Sequence, residues 1–153
     1  METRYEEYYE NNLKAANEYQ DFVCIHLIKK GIVLSNMSSQ KFQNELGENL
    51  QGFEIKFDRL FRQTNNLYIE VAEKSNPSNM NYVKSGIFRN DNSWIYAIGD
   101  YEGIYLIQKK VLKSMYEKNR FKEVKKPTSI GMLLPLYEAD KYFDYIEFEN
   151  IQP

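Results

Sequence analysis

Residues 52–58, GFEIKFD, constrain the fold most. Phe53, Ile55 and Phe57 alternate with Glu54, Lys56 and Asp58 behind a leading glycine. A strand with that period sends three bulky apolar side chains to one sheet face and two acids with a lysine to the other. An apolar face made wholly of large residues reads as a central strand covered on both sides, and charges on its second face then need a reason. From this spacing alone two readings stay open, a solvated sheet surface and a metal site.

Glu54 and Lys56 leave the same face, about 7 Å apart at strand rise. A second alternating run, NLYIEVAEK at 66–74, puts Leu67, Ile69 and Val71 on one face and Tyr68, Glu70 and Ala72 on the other. The intervening RLFRQTN reads as a hairpin connection, which would set Glu70 beside Glu54 and Lys56. Glu48 lies just upstream, after Gly47. Hard divalent ions such as Mg²⁺ take oxygen ligands, usually one or two carboxylates with water and substrate phosphate. A lysine beside such an ion can orient an attacking water and offset charge on the phosphate. An acid followed by acid-x-Lys is the smallest set for metal-assisted phosphodiester hydrolysis.

The rest of the chain supplies the scaffold. From Asn11 to Lys30, Ala16, Tyr19, Val23 and Leu27 recur at helical steps, and two lysines before Gly31 mark the end. IVL at 32–34 reads as a short strand, and SSQKFQNELGEN as a helical turn stopped by Gly47. SNPSNMN is an exposed loop, and SGIFRNDNS is open between a short helix and turns. WIYAIGD and GIYLIQ are strands, KKVLKSMYEKN returns to helical period, and IGMLLPLYEADKYFDYIEF is a buried piece leading to a short helix or strand. The expected fold class is α/β (α+β): one domain over 1–153, a central mixed β-sheet flanked by helices.

Composition narrows the chemistry. A net charge of −2 argues against a non-specific nucleic-acid binder but suits acidic metal ligands. His26 is the only histidine and sits on an apolar helix, so histidine metal centres and a Ser–His triad lose their central group. Cys24 is the only cysteine, so it forms no internal disulfide, and no zinc framework or phosphate-cradling glycine loop is present in the sequence. GIY at 103–105 follows YAIG at 96–99, the reverse of the order in GIY-YIG nucleases, and two aromatic strands account for both triplets. The acidic start METRYEEYYENN has no apolar core for a signal peptide, so a cytoplasmic protein of a bacterium or a phage-infected host, away from membranes, is expected. Thirteen tyrosines serve a core, an interface or base stacking.

Four segments, NEYQDFVCIHLIKKG, GENLQGFEIKFD, NLYIEVAEK and SGIFRNDNSWIYAIGD, together resemble the PD-(D/E)xK, or restriction-endonuclease-like, nucleases, in particular small phage- or prophage-type members. The resemblance implies an αβββαβ core, with the second helix inside SGIFRNDNS, and a Mg²⁺-dependent (Mn²⁺ also) endonuclease acting on DNA. It makes Glu54 the metal-binding acid, Lys56 the catalytic lysine and the Ile55 carbonyl a further ligand. The family's upstream acid is usually aspartate after proline; Glu48 stands there without the proline, with Glu70 as a further ligand and Asp58 as a reserve. Glu18 resembles the helix acid that some members use. Lys84, Arg89 and the basic run Lys109 to Lys113 would contact phosphate, and cleavage of a duplex would imply a homodimer. The alternatives are a catalytically silent DNA- or protein-binding module on the same fold, and a structural protein that assembles through its tyrosines.

Overall fold

A computed structural model describes residues 2–149. The longest element is helix α1, Glu2–Lys29. Tyr19, Val23 and Leu27 repeat every fourth residue and are fully buried, so only the C-terminal half of α1 is a core helix. Its end is a Schellman turn: Gly31, at φ 82°, donates to the Ile28 carbonyl, and Ile32 donates to the Leu27 carbonyl. That left-handed residue must be glycine to be unstrained.

Residues 32–34 do not form the expected strand. Val33 is exposed, and the segment runs on to an isolated antiparallel bridge between Asn36 and Asn49. Helix α2, Gln40–Leu46, is capped by the Ser39 hydroxyl at its start and closed by Gly47. Strand β1, Phe53–Phe57, is followed by one turn of helix, α3, Phe61–Thr64, and by β2, Asn66–Glu73. Strand β3 is Val83–Lys84, and a 3-10 turn covers Gly86–Phe88. β4, Ile95–Gly99, and β5, Gly103–Gln108, lead into helix α4, Lys109–Glu117. β6, Glu123–Lys125, and β7, Ser129–Pro135, precede α5, Leu136–Tyr142, and β8, Asp144–Glu147.

The fold is mixed α and β in a single compact domain, but the strands make two sheets where one central sheet was expected. The first has the order β1-β4-β5-β8, with β1 parallel to β4 and the other pairs antiparallel. The second, β3-β2-β7-β6, is antiparallel throughout. The expected β1–β2 hairpin is replaced by a change of sheet. β2 is already flanked by β7 on one edge and β3 on the other, whereas β1 aligns with β4 from Phe53↔Ile95 to Phe57↔Gly99.

One core lies between α1 and the first sheet, where Ile55, Ala97 and Ile104 meet Tyr19, Val23 and Leu27. The larger core lies between the two sheets and helices α4 and α5, and includes Leu67, Ile69, Tyr96, Ile98, Leu112 and Met132. The first sheet is therefore covered on both faces. β1 turns its apolar side to α1, and Glu54 and Lys56 point towards the second sheet. Among the described residues no helix is long and apolar enough to cross a membrane.

Candidate active site

β1 is an edge strand, and its free edge is closed by side chains from the loop after α2. Asn49 accepts from Phe53 N–H and donates to the Phe53 carbonyl, and Glu48 Oε2 accepts from Ile55 N–H at 2.9 Å. Covering an exposed edge in this way prevents further strand pairing, and it brings Glu48 against the ExK strand. Asn92 secures the loop, donating its backbone N–H to Leu46 and its side-chain amide to the Asn49 carbonyl.

On the inner face of β1, Glu54 is only 1% exposed, and each of its oxygens faces a lysine. Lys56 Nζ lies 2.9 Å from Oε1, and Lys109 Nζ, from the first turn of α4, lies 2.5 Å from Oε2. Lys56 also stands 3.9 Å from Glu70 Oε1, so its ammonium is flanked by two carboxylates. Glu70 is held in turn by the Ser85 hydroxyl at 2.9 Å, and its backbone N–H donates to the Tyr96 hydroxyl at 3.3 Å.

Lys109 is as buried as Glu54 and has a full set of acceptors. It donates to the Gly86 carbonyl at 3.2 Å and to the Ser93 hydroxyl, and lies 3.9 Å from Asp91. Asp91 pairs with Arg89 at 3.1 Å, and Arg89 donates to the Gln43 carbonyl of α2 at 2.6 Å. A continuous charged network thus runs from α2 through Arg89, Asp91, Lys109 and Glu54 to Lys56 and Glu70. Buried charges persist when paired and hydrogen-bonded.

The electrostatics follow. Burial pushes Glu54 up, but Lys56 and Lys109 outweigh it and hold the carboxyl below its ordinary value. Burial works against the charged form of Lys56, yet Glu54, with Glu70 behind it, raises its value well above that of a free lysine. Glu48 goes the other way: its desolvation exceeds the help from Lys56 and from the Ile55 N–H, and its value is raised. Tyr96, buried beneath the site, is likewise raised well above a free phenol by desolvation.

Lys56, Glu48, Glu70 and Asp58 open onto a cleft of about 590 Å³ between α1 and the β2 side of the domain. Asp58 accepts from Leu60 and Tyr68 N–H, so it fastens the turn from β1 to β2. Glu18 is outside the cleft, 62% exposed on α1, opposite Lys14. Lys84 is exposed and lies over the Phe88 ring, while Lys110 is exposed beside the buried Lys109. Arg89 and Lys109, expected at phosphate, face inward into the network. His26 packs between Phe22 and Phe148, and the Cys24 thiol is pushed up by burial.

Asp91, Ser93 and Tyr96 were not singled out by sequence reasoning, and Lys109 was named only as part of a basic run at phosphate, not as the partner of Glu54. Only Lys109 had a signal, its place directly after an apolar strand, and that signal was shared with Lys110.

By donor chemistry the cleft residues fit a hard divalent cation: the acids are all oxygen donors, and the Lys56 ammonium already occupies a cation's place between Glu54 and Glu70. Among the described residues, however, no three acidic, histidine or cysteine side chains come together as a metal-holding group. No family model, curated protein or solved structure matches the chain.

Proposed function

We propose that the protein is a Mg²⁺-dependent DNA nuclease, active with Mn²⁺ also, of the PD-(D/E)xK kind. The observation that carries the reading is the Lys56 ammonium set between Glu54 and Glu70 at the floor of an open cleft, with Glu48 bonded to the Ile55 N–H beside it. With α2 and the single-turn α3 set aside, the chain order α1, β1, β2, β3, 3-10 turn, β4 follows that of an αβββαβ core, although β2 and β3 belong to the second sheet.

Glu54, Glu48, the Ile55 carbonyl and Glu70 would hold the cation. When bound, it supplies Lewis-acid stabilisation of the phosphate and a more acidic water. The chain's own residues do the rest. Glu54 stays ionised because Lys109 remains on Oε2. Lys56, still protonated at neutral pH, turns from Glu54 to the scissile phosphate and offsets its developing charge.

One observation favours a second reading, a catalytically silent binding module. Glu54 has a lysine on each oxygen, a charge arrangement that is balanced without any metal. End-labelled DNA incubated with the purified chain in Mg²⁺ or Mn²⁺ separates the two. Cleavage that falls by roughly 100-fold or more in both Glu54→Gln and Lys56→Ala is expected for the nuclease. Variants that cut as well as the parent would remove the site assignment, and an inert parent would leave the binding module.

A further inference from the structure

We infer that the cleft takes a single, unpaired nucleic-acid strand; this rests on the nuclease reading and names the substrate form of that same site. Two features of the cleft lead to it: its size and what lines its walls.

The cleft volume of about 590 Å³ falls in the range that encloses a drug-sized molecule, a nucleotide or two. A B-form duplex has a major groove alone about 12 Å wide and carries its phosphates on the outside. Lys56 lies at the floor, 32% exposed, with the wall of α1 beside it. A duplex meets the rim of such a cleft, and the phosphate of one separated strand is what descends to Lys56.

The walls carry the groups that handle unpaired bases and backbone. On the α1 side, Asn12, Asn17 and Gln20 present amides, which donate and accept and so suit base edges. Gln20 Nε2 is buried in that wall with no hydrogen-bond partner among the described residues. Tyr8, 65% exposed on the same wall, offers a ring for stacking. Across the cleft Lys126 Nζ lies 3.7 Å from the centre of the Tyr68 ring, and Arg59, over the Phe57 ring that stacks on Tyr19, adds a second cation to the lining. An exposed ring such as Tyr8 with cations tracking the backbone is how proteins bind single strands. A duplex hides its base faces and most of its base edges, and leaves this equipment unused. An unpaired strand is also cut by one active site, so no two-fold dimer is required.

The test uses the full chain with Ca²⁺ in place of Mg²⁺, and compares fluorescence anisotropy of a labelled oligothymidine with that of a blunt duplex of equal length at fixed salt. The single strand is expected to bind about tenfold tighter or more, the factor associated with one stacked base. Gln20→Ala and Lys126→Ala should each weaken it severalfold and leave the duplex unchanged. Gln20 Nε2 has no partner to lose, so an unchanged melting temperature separates its effect from misfolding. With Mg²⁺, a fork with paired and unpaired arms should be cut in the unpaired arms. Equal or tighter duplex binding, or cuts within the paired arm, overturns the inference and leaves the nuclease reading standing. Preferred single-strand binding with no cleavage of any DNA upholds the strand inference and overturns the nuclease. Binding of neither form overturns both.

Discussion

Lys109→Met removes the better buried of the two cations on Glu54. The side chains of Lys109 and Glu54 are 4% and 1% exposed. In the variant Glu54 keeps Lys56 as its one cation, Asp91 keeps Arg89 and its bonds from Ser93, and the Gly86 carbonyl keeps the Arg89 N–H but loses the ammonium. Removing one partner of a buried pair costs ~3–5 kcal/mol. The lower end applies here, because Lys56 still covers one oxygen; about 3 kcal/mol corresponds to a melting temperature lower by about 6–12 °C in a domain of this size. Urea unfolding followed by far-ultraviolet circular dichroism and by Trp94 fluorescence reads the loss. Trp94 is the only tryptophan, and its carbonyl accepts from the Lys109 N–H at 2.9 Å. Lys110→Met, one residue on and exposed, should stay within about 0.5 kcal/mol of the parent. Glu54→Gln combined with Lys109→Met should cost less than the two singles summed, by about 1–3 kcal/mol. Singles that simply add, or a Lys109→Met protein as stable as Lys110→Met, would refute the network.

Three further outcomes follow from the same geometry. Glu48 has a raised value, so its contribution is favourable below the ordinary carboxylate range and is lost as pH rises through the folded value; Glu48→Gln, which keeps an oxygen for Ile55 N–H, should gain about 1 kcal/mol at neutral pH, and an unchanged or lower melting temperature counts against it. Glu54 has the opposite sign: its contribution is whole above about pH 4.3 and is lost as pH falls through a lower folded value. Melting curves of parent and Glu54→Gln should therefore converge on acidification, and a constant gap would show that Glu54 is not the group. Gly86, at φ 52°, leaves no room for a Cβ against the Glu70 carbonyl, so Gly86→Ala should cost about 2 kcal/mol or more by chemical denaturation; no loss would mean that β2 yields easily.

The sequence made local features legible and hid the pairing. Gly31 ends α1, Gly47 ends α2, and the two faces of β1 and β2 were readable because they depend on periodicity and on φ at one residue. That β1 departs from β2 to join β4 was not readable. RLFRQTN is as compatible with a hairpin as with α3 and Asn65 at φ 55°, and strand partners are chosen by contacts remote in sequence. Glu70 still reached Lys56, through the packing of one sheet on the other. Glu48 was legible only as a nearby acid. Its place comes from Asn49 and Asn92 closing the β1 edge. The strand β6 was missed because RFKEVKK has no alternating apolar face, and it lies on the edge of its sheet with only Val124 partly covered.

The two lysines on Glu54 look equivalent by distance, and their surroundings assign them different duties. Lys109 is enclosed by Gly86, Ser93 and Asp91, so moving it would take a cation from two buried acids, Glu54 and Asp91, at once. Lys56 is 32% exposed, reaches the cleft, and has a second acid, Glu70, within 4 Å to steady it. An ammonium that leaves Glu54 therefore has to be Lys56, and the residual charge on Glu54 is then held by Lys109. This division explains why a glutamate can be fully buried on a strand beside an open cleft. On the proposed nuclease reading, the lysine that holds it and the lysine that would work on substrate are separate residues. An ExK motif alone supplies only the second; the first comes from α4, more than fifty residues further along the chain.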